Sequence, residues 1–363
     1  MTGIYVHLPF CGVRCTYCPF AISTDLSRER AYTDALLREI GARATGEEAG
    51  SVYFGGGTPS RTPLASLERI AGALRERFRI RTDAEFSMEA NPEDVTPQAL
   101  RAWMALGVNR ISIGVQSFHD AELRPLGRLH TARQARDAVE AAVAAGIRTN
   151  LDLIAGLPNQ SQESFAATLE TALATGVGHL SLYMLDLEER TPLQVQVARG
   201  RTTLPDDEAV AAMYRHAVVR LAEGGLGQYE ISNFARPGEE CRHNLRYWER
   251  RPYHGFGLGA HSFLGEERFA NTRNIADYID RPEDATDFRE VLGEGERRRE
   301  EIFLGLRQTR GIWYDALLEI CGQEGEEWLD RGLREGWLRR EGGRVAFTTS
   351  GFLLSNDYIS QLF

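Results

Sequence analysis

Three cysteines lie close together near the start of the chain, in the sequence Cys11-Gly-Val-Arg-Cys15-Thr-Tyr-Cys18. Three thiolates on one short loop can bind a single metal centre. An iron–sulfur cube normally takes four cysteine ligands, so three of them leave one iron open to a small molecule. The C-x3-C-x2-C spacing therefore predicts a [4Fe–4S] cluster with one open iron, held by Cys11, Cys15 and Cys18.

Two alternatives to the cluster remain open on the cysteine loop alone. Zinc binds cysteines too, although it usually takes four ligands arranged in C-x2-4-C pairs. The thiols can also be buried and unreactive. The other two cysteines, Cys241 and Cys321, lie far along the chain and lack metal-site spacing. They do not complete a zinc site in the sequence, which favours the cluster.

The composition is that of an ordinary globular protein. The chain has 363 residues, of which 42% are hydrophobic and 26% charged, with a net charge of −10. We find no basic stripe, so we expect no nucleic-acid partner. Every basic residue is Arg, which excludes a Schiff-base lysine and a P-loop lysine. Because the sequence shows neither a signal-peptide pattern nor an apolar run long enough to span a membrane, we expect a cytoplasmic protein.

Strand and helix patterns alternate from residue 4 to about residue 188. The strand patterns cover 4–10, 51–54, 84–90, 110–115, 149–155 and 179–187, and the helical patterns cover 28–44, 63–78, 96–106, 132–145 and 162–175. Six repeats of similar length predict an α/β fold with an incomplete (β/α)6 TIM-like barrel. A doubly wound nucleotide-binding sheet is the alternative, but residues 55–57 do not give G-x-G-x-x-G. In a βα barrel, functional residues lie at the C-terminal ends of strands.

The pattern changes after the sixth strand. We expect an insertion at 188–204, a helix at 206–223, a strand at 228–234, a glycine- and aromatic-rich loop region at 236–264 and a charged linker at 282–298. Two helices and a hairpin at Gly342-Gly343 then predict a small C-terminal α+β domain of the winged-helix type. The predicted domains are 1–235 (barrel with the following helix and strand), 236–299 (loop region and linker) and 300–363.

Polar residues stand at or near the ends of the predicted barrel strands. Gly55-Gly56-Gly57-Thr58-Pro59 ends the second strand, and backbone without side chains can approach a ligand closely. Glu89 and Gln116 end the third and fourth strands, and Asp152 lies near the end of the fifth. Polar groups in apolar strands are costly unless they are paired or bind a ligand. The alternatives are a plain tight turn for the glycines and a salt-bridge layer, for example Arg128 with Asp152.

A second unusual stretch combines histidine with aromatic residues. It runs His243-Asn244-Leu-Arg246-Tyr247-Trp248 and is followed by a glycine-rich segment that contains His254 and His261. Imidazole can bind iron, aromatic rings can stack on a flat macrocycle, and Arg246 can pair with a carboxylate. Cys241 is another possible iron ligand. The alternative is that these aromatic residues simply cover one end of the barrel.

Taken together, these motifs resemble the oxygen-independent coproporphyrinogen III oxidase superfamily of radical S-adenosylmethionine (SAM) proteins. The resemblance rests on the segment from Tyr5 to Cys11, the cysteine loop, residues 55–60, Glu89-x-Asn91-Pro92, residues 114–118 and Gly156-Leu157-Pro158. The H-N-x-x-Y-W motif is similar to that of the HemW-type heme chaperones within this superfamily. In radical SAM proteins, SAM chelates the fourth iron. The cluster then donates an electron to SAM, which is cleaved.

The resemblance implies a role for each matching residue. SAM on the cluster would contact Tyr5, Gly56 and Glu89, and a second SAM site would use Tyr17, Gly57, Thr58, Gln116, Arg128 and Asp152. Heme would contact His243, Asn244, Tyr247 and Trp248. The implied cofactors are a [4Fe–4S] cluster, SAM and heme. The implied partners are an electron donor protein and an acceptor hemoprotein, for example a respiratory one associated with a membrane.

Two departures separate this sequence from the oxidases of the superfamily. Those enzymes carry a fourth cysteine two residues after the third, where this chain has Phe20. They also have a longer N-terminal extension, whereas only four residues precede Tyr5 here. Both departures argue against coproporphyrinogen III oxidase activity and favour a heme chaperone. A radical SAM enzyme proper, either such an oxidase or a methyl-transferring relative, and a zinc-stabilised binding protein are the alternative functions.

Overall fold

The predicted parallel barrel forms from the first half of the chain. The computed structural model describes residues 1–187, 189 and 191–363. Within these ranges, the first six strands are parallel and lie side by side in chain order, which confirms the incomplete (β/α)6 barrel. The strands are β1 Thr2–Leu8, β2 Glu48–Gly56, β3 Arg79–Ala90, β4 Arg110–Gln116, β5 Arg148–Ala155 and β6 His179–Met184.

Helices connect these strands at the positions that the periodicity predicts. Thr96 accepts a hydrogen bond from the backbone N–H of Ala99 and Pro97 follows in the first turn, so a capping residue begins the third helix. The connecting helices are α1 Glu29–Arg43, α2 Leu64–Arg77, α3 Pro97–Ala105, α4 Asp120–Leu123, α5 Ala132–Ala144 and α6 Gln162–Ala174.

Alternate side chains of β1 face in opposite directions, toward the hydrophobic core under the helices or toward the space inside the barrel. Ile4, Val6 and Leu8 are buried in the hydrophobic core. Tyr5 and His7 point the other way, and their side chains are joined by a 3.1 Å hydrogen bond between the Tyr5 hydroxyl and His7 Nδ1. The period of two residues thus places apolar side chains against the helices and polar ones inside the barrel.

The sheet continues beyond both edge strands of the barrel, β1 and β6. Residues 228–234, predicted as one strand, form a hairpin of two short strands beside β6 instead. After the partly described insertion, the elements are α7 Pro192–Ala198, α8 Asp207–Glu223, β7 Gly227–Gln228 and β8 Asn233–Ala235. Residues 188 and 190 of the predicted insertion lie outside the described residues.

The segment predicted as loop and linker is largely regular structure. It contains α9 Arg242–Trp248, β9 Tyr253–Phe256, β10 His261–Leu264, β11 Glu267–Asn271, α10 Ile275–Asp280 and β12 Thr286–Val291. β9 pairs in parallel with β1, and β10 to β12 continue the sheet outward. Gly255 lies within β9. No side chain fits there, because a Cβ would lie 1.9 Å from the carbonyl oxygen of His261. At Gly255 the glycine allows close backbone approach and does not mark a loop, whereas Gly257 and Gly259 do lie in the turn between β9 and β10.

The C-terminal residues form the predicted helices and hairpin. The elements are α11 Glu294–Leu306, β13 Ile312–Trp313, α12 Tyr314–Arg334, β14 Leu338–Glu341, β15 Arg344–Phe347, α13 Thr349–Leu353 and α14 Ser355–Ile359. β14 and β15 are antiparallel, and β13 pairs with the other edge of β15. The domain limits themselves stay a prediction. In the described part of the chain, we find no helix with the length and hydropathy needed to cross a membrane.

Candidate functional site

The three loop cysteines border one cavity at the C-terminal ends of the barrel strands. The cavity has a volume of about 430 Å³, within the range of about 300–1,000 Å³ that is typical of ligand sites. The Thr58 hydroxyl donates to Cys11 Sγ at 3.4 Å, and Arg128 Nη1 donates to Cys15 Sγ at 3.6 Å. The loop after β1 therefore faces groups from the loop after β2 and from the segment after β4.

Burial favours the protonated form of two of the metal-free thiols, Cys11 and Cys18. Burial raises the pKa of Cys11 to about 11 and also raises the pKa of Cys18. Iron binding requires thiolates, so it has to displace these protons. Among the described residues, no three His, Cys, Asp or Glu side chains are placed to share a single metal ion. A cubane cluster makes a different demand, since each cysteine binds its own iron at the border of one shared space.

The glycine segment is shaped by its contact with β1. Gly56 has a φ of 112°, and a Cβ there would lie 2.4 Å from the His7 ring. The backbone N–H groups of Gly56, Gly57 and Thr58 all donate to partners within the protein. These N–H groups are therefore not available to a ligand, and an amino group would have to be bound by carbonyl oxygens of the segment other than that of Thr58, which accepts from Arg61.

Glu89 presents a fixed carboxylate at the inner end of the cavity. The Tyr53 hydroxyl donates to Glu89 Oε1 at 3.0 Å, and the Gly56 N–H donates to Oε2 at 3.0 Å. Burial, with a further contribution from the charge of Asp152, raises the pKa of Glu89 to about 7. A bound ammonium group would favour the charged form of this carboxylate.

Asp152 and Arg128 have separate partners, so the predicted alternative of a salt bridge between them is not what holds them. Asp152 accepts hydrogen bonds from the Ser112 hydroxyl at 3.0 Å and from Asn150 Nδ2 at 2.8 Å. Arg128 Nη2 donates to Asn91 Oδ1 at 2.8 Å and to the Gly114 carbonyl at 2.7 Å. Burial raises the pKa of Asp152.

Two polar atoms at this cavity have neither a hydrogen-bond partner nor an ion-pair partner among the described residues. They are Gln116 Oε1 and Arg128 Nε, and both are buried. Gln116 also has a φ of 61°, which is uncommon for a residue other than glycine. Buried polar atoms without partners are costly, so both atoms fit a site that a polar ligand completes.

The cavity brings together eight of the nine residues predicted to contact SAM. These are Tyr17, Gly56, Gly57, Thr58, Glu89, Gln116, Arg128 and Asp152. Tyr5 lies deeper, and its ring is 6.2 Å from that of Tyr53. Sequence reasoning missed Tyr53 and Ser112, which hold the two carboxylates, because their partners lie on neighbouring strands and no motif marks them.

The H-N-x-x-Y-W motif lies elsewhere, on α9 at the opposite end of the barrel. His243 is fully buried, with Nδ1 2.9 Å from the Ser51 hydroxyl and Nε2 2.8 Å from the Tyr247 hydroxyl. Burial lowers the pKa of His243 to about 3. Both ring nitrogens are thus engaged inside the protein, and this arrangement does not present the predicted iron ligand to a heme.

The other predicted heme contacts are also packed against the protein. Asn244 borders a small cavity inside the barrel. The rings of Tyr247 and Tyr253 pack edge to face, with centroids 4.7 Å apart. Trp248 is half-buried, and its backbone carbonyl accepts a hydrogen bond from Gln308 Nε2 at 3.1 Å. The motif therefore closes the barrel end that lies away from the cysteines.

Comparisons with known proteins agree with this site. The family model of the radical SAM superfamily matches residues 5–172. Heme chaperone HemW of Synechocystis is 38% identical over 333 residues, covering 88% of this chain and 81% of that protein. Heme chaperone HemW of Lactococcus lactis is 34% identical over 365 residues, covering 97% of this chain and 95% of that protein.

A solved structure shows the same fold. Coproporphyrinogen III oxidase HemN from Escherichia coli, described as a radical SAM enzyme, superposes with a TM-score of 0.86 at 24% identity, covering 99% of this chain and 89% of that one. The fold and the cavity define a radical SAM protein, a class that implies a [4Fe–4S] cluster and SAM. Within that class, this chain belongs to the family of the proteins named heme chaperone HemW.

Proposed function

We propose that this protein is a heme chaperone on a radical SAM scaffold. It binds a [4Fe–4S] cluster, SAM and heme in the cytoplasm and passes the heme to an acceptor hemoprotein, such as a respiratory protein at a membrane. The observation that carries this proposal is the family match over nearly the whole chain. A cluster held by Cys11, Cys15 and Cys18 would supply one-electron chemistry toward SAM, with the electron coming from a donor protein.

The residues of the cavity have distinct roles in this proposal. Cys11, Cys15 and Cys18 hold three irons. Glu89 and the carbonyl oxygens of the glycine segment bind the amino group of SAM, with Tyr5 supporting them from below. The remaining predicted residues, which are Tyr17, Thr58, Gln116, Arg128 and Asp152, border the same space and can bind the polar parts of the ligand or a second SAM.

Heme contact by the H-N-x-x-Y-W motif requires a rearrangement. Because both ring nitrogens of His243 have internal partners, α9 has to move away from β2 before the imidazole can bind iron. We propose that His243 is the iron ligand of this opened form. Asn244, Tyr247 and Trp248 then lie beside the macrocycle.

The runner-up function is a radical SAM enzyme, such as a coproporphyrinogen III oxidase. The eight predicted SAM residues that border the cavity favour it, whereas Phe20 argues against the oxidase. Phe20 stands where the oxidases carry a fourth cysteine, and its side chain borders the cavity with 60% of its surface exposed. A bulky ring replaces a thiol at the entrance.

One anaerobic experiment separates these functions. The reconstituted protein is titrated with heme while the Soret band is followed, and transfer to an apo-hemoprotein is measured. The same sample is then given reductant, SAM and coproporphyrinogen III. We expect heme binding and transfer without formation of protoporphyrinogen IX. Robust turnover of the porphyrinogen, or failure to bind heme, would contradict the proposal.

A further inference from the structure

We infer that the H-N-x-x-Y-W motif braces the SAM site from below, with Tyr53 and His243 as positioning residues for Glu89. The inference rests on the proposed SAM site and assigns the motif a role other than heme contact. Tyr53 lies between the two sites. Its hydroxyl donates to Glu89 Oε1 at 3.0 Å, and its ring stacks on His243 with centroids 5.2 Å apart.

The Glu89 carboxylate is held at both oxygens. The Gly56 N–H binds Oε2 from the glycine segment, and Tyr53 binds Oε1 from the barrel interior. Without the Tyr53 hydroxyl, the carboxylate can rotate about its remaining hydrogen bond. A ligand that needs one fixed orientation of this carboxylate then has to pay the ordering cost on binding.

In this closed arrangement, His243 is itself held by three hydrogen bonds. Its ring is fixed by Ser51 and Tyr247, and its backbone N–H donates to Glu85 Oε1 at 2.8 Å. Arg246, on the same helix, donates to the Ser51 hydroxyl at 3.1 Å. These contacts anchor α9 to β2 and β3, so the imidazole forms a rigid surface against which the Tyr53 ring packs.

A small polar cavity connects the motif with the SAM site. It has a volume of about 50 Å³ and is bordered by Asn244 at one end and by Glu89 and Asp152 at the other. Among the described residues, Ser87 Oγ and Arg110 Nη2 on its wall are buried without partners. A space of this size holds about three to five waters that can satisfy such atoms. Loss of the motif would open this interior to solvent next to Glu89.

The test measures SAM affinity on anaerobically reconstituted protein. Binding of SAM is followed by its effect on the electron paramagnetic resonance spectrum of the reduced cluster. We expect Tyr53→Phe to weaken SAM binding about tenfold, equal to about 1.4 kcal/mol, with the cluster content unchanged. Tyr214→Phe is the matched control, because it removes another buried hydroxyl, that of Tyr214 on α8, which donates to the Ile231 carbonyl. It should bind SAM as the wild type does.

Two substitutions at His243 separate the brace from a heme-ligand role. His243→Ala removes the surface below Tyr53, and we expect SAM binding to weaken by about tenfold. His243→Phe keeps an aromatic ring at that place but has no nitrogen for iron. It should restore most of the SAM affinity while heme ligation stays lost. His254→Ala is the control for loss of a buried imidazole, since His254 packs on Phe78 outside the barrel interior.

Several results would overturn the inference that Tyr53 and His243 position Glu89. Wild-type SAM affinity in Tyr53→Phe would show that its hydroxyl does not position Glu89. Equal weakness in His243→Phe and His243→Ala would show that ring packing is not the support. If the wild-type protein carries its cluster and binds heme but not SAM, the SAM site itself is wrong and the brace fails with it. If the protein does not bind heme but its SAM affinity depends on Tyr53 and His243 as expected, the chaperone proposal is refuted and the positioning role stands.

Discussion

Glu89 is expected to destabilise the ligand-free protein at neutral pH. Its pKa is raised to about 7 in the folded chain from an ordinary value of 4.5, chiefly because the carboxyl is buried. Between these two values the unfolded chain has released the proton and the folded chain still holds it. The folded state therefore loses stability as the pH rises, by about 1.4 kcal/mol for each pH unit and by about 3 kcal/mol in all.

Substitution of Glu89 by Gln removes this penalty. The amide oxygen can still accept from Gly56, and the amide NH2 can donate to the Tyr53 hydroxyl oxygen, so both contacts are kept with Tyr53 now accepting. We expect the free energy of unfolding of metal-free Glu89→Gln to exceed that of the wild type by about 3 kcal/mol at pH 8. The difference should shrink as the pH falls through 7 and vanish near pH 4.5.

Urea unfolding followed by circular dichroism at pH 4.5, 6 and 8 provides the measurement. Glu230→Gln is the matched control, because burial also raises the pKa of Glu230 to about 7 and this residue lies outside the cysteine cavity. Both variants should gain stability at pH 8, but only Glu89→Gln should lose SAM affinity. A stability difference for Glu89→Gln that does not change with pH would refute the reasoning.

Three further predictions concern the cluster, the glycine segment and heme. Anaerobically purified protein should contain about four irons and four sulfides per chain. Substitution of any of the three loop cysteines by Ala should abolish this iron and sulfide, whereas Cys241→Ala should not. Stoichiometric zinc without sulfide would contradict the cluster. Gly56→Ala should lower the free energy of unfolding, measured with urea, by about 1–3 kcal/mol through backbone strain and contact with the His7 ring. The control is Gly72→Ala on α2, where the added methyl group meets open space. This variant should be neutral or stabilising. If His243 leaves Tyr53 to bind iron, heme-loaded protein should bind SAM more weakly than heme-free protein, and equal SAM affinities in equilibrium dialysis would show that His243 does not serve both sites.

Local sequence patterns determined the barrel and the cysteine loop. The period of two along β1 and the period of about 3.6 along the helices depend on neighbouring residues, so the six repeats can be recognised before any tertiary contact is known. Cys11, Cys15 and Cys18 are likewise linked by a short loop that must bring them together. Parallel strands then place Glu89 and Asp152 at the same end as this loop, because βα connections put all strand C-termini on one face.

Only the tertiary structure decided what surrounds these residues. Tyr53 and Glu89 are 36 positions apart, and Ser51 and His243 are 192 apart. Their contacts depend on the register of β2 against β3 and on the docking of α9, which no local spacing specifies. The same reason explains the loop expected at residues 236–264. Its glycines indicate open structure when read alone, but Gly255 lies within β9, where the close approach of β10 leaves no room for a side chain. The sequence thus determined which groups are present for cluster chemistry, and the packing of distant segments decided that His243 lies buried beside Tyr53 with both ring nitrogens engaged.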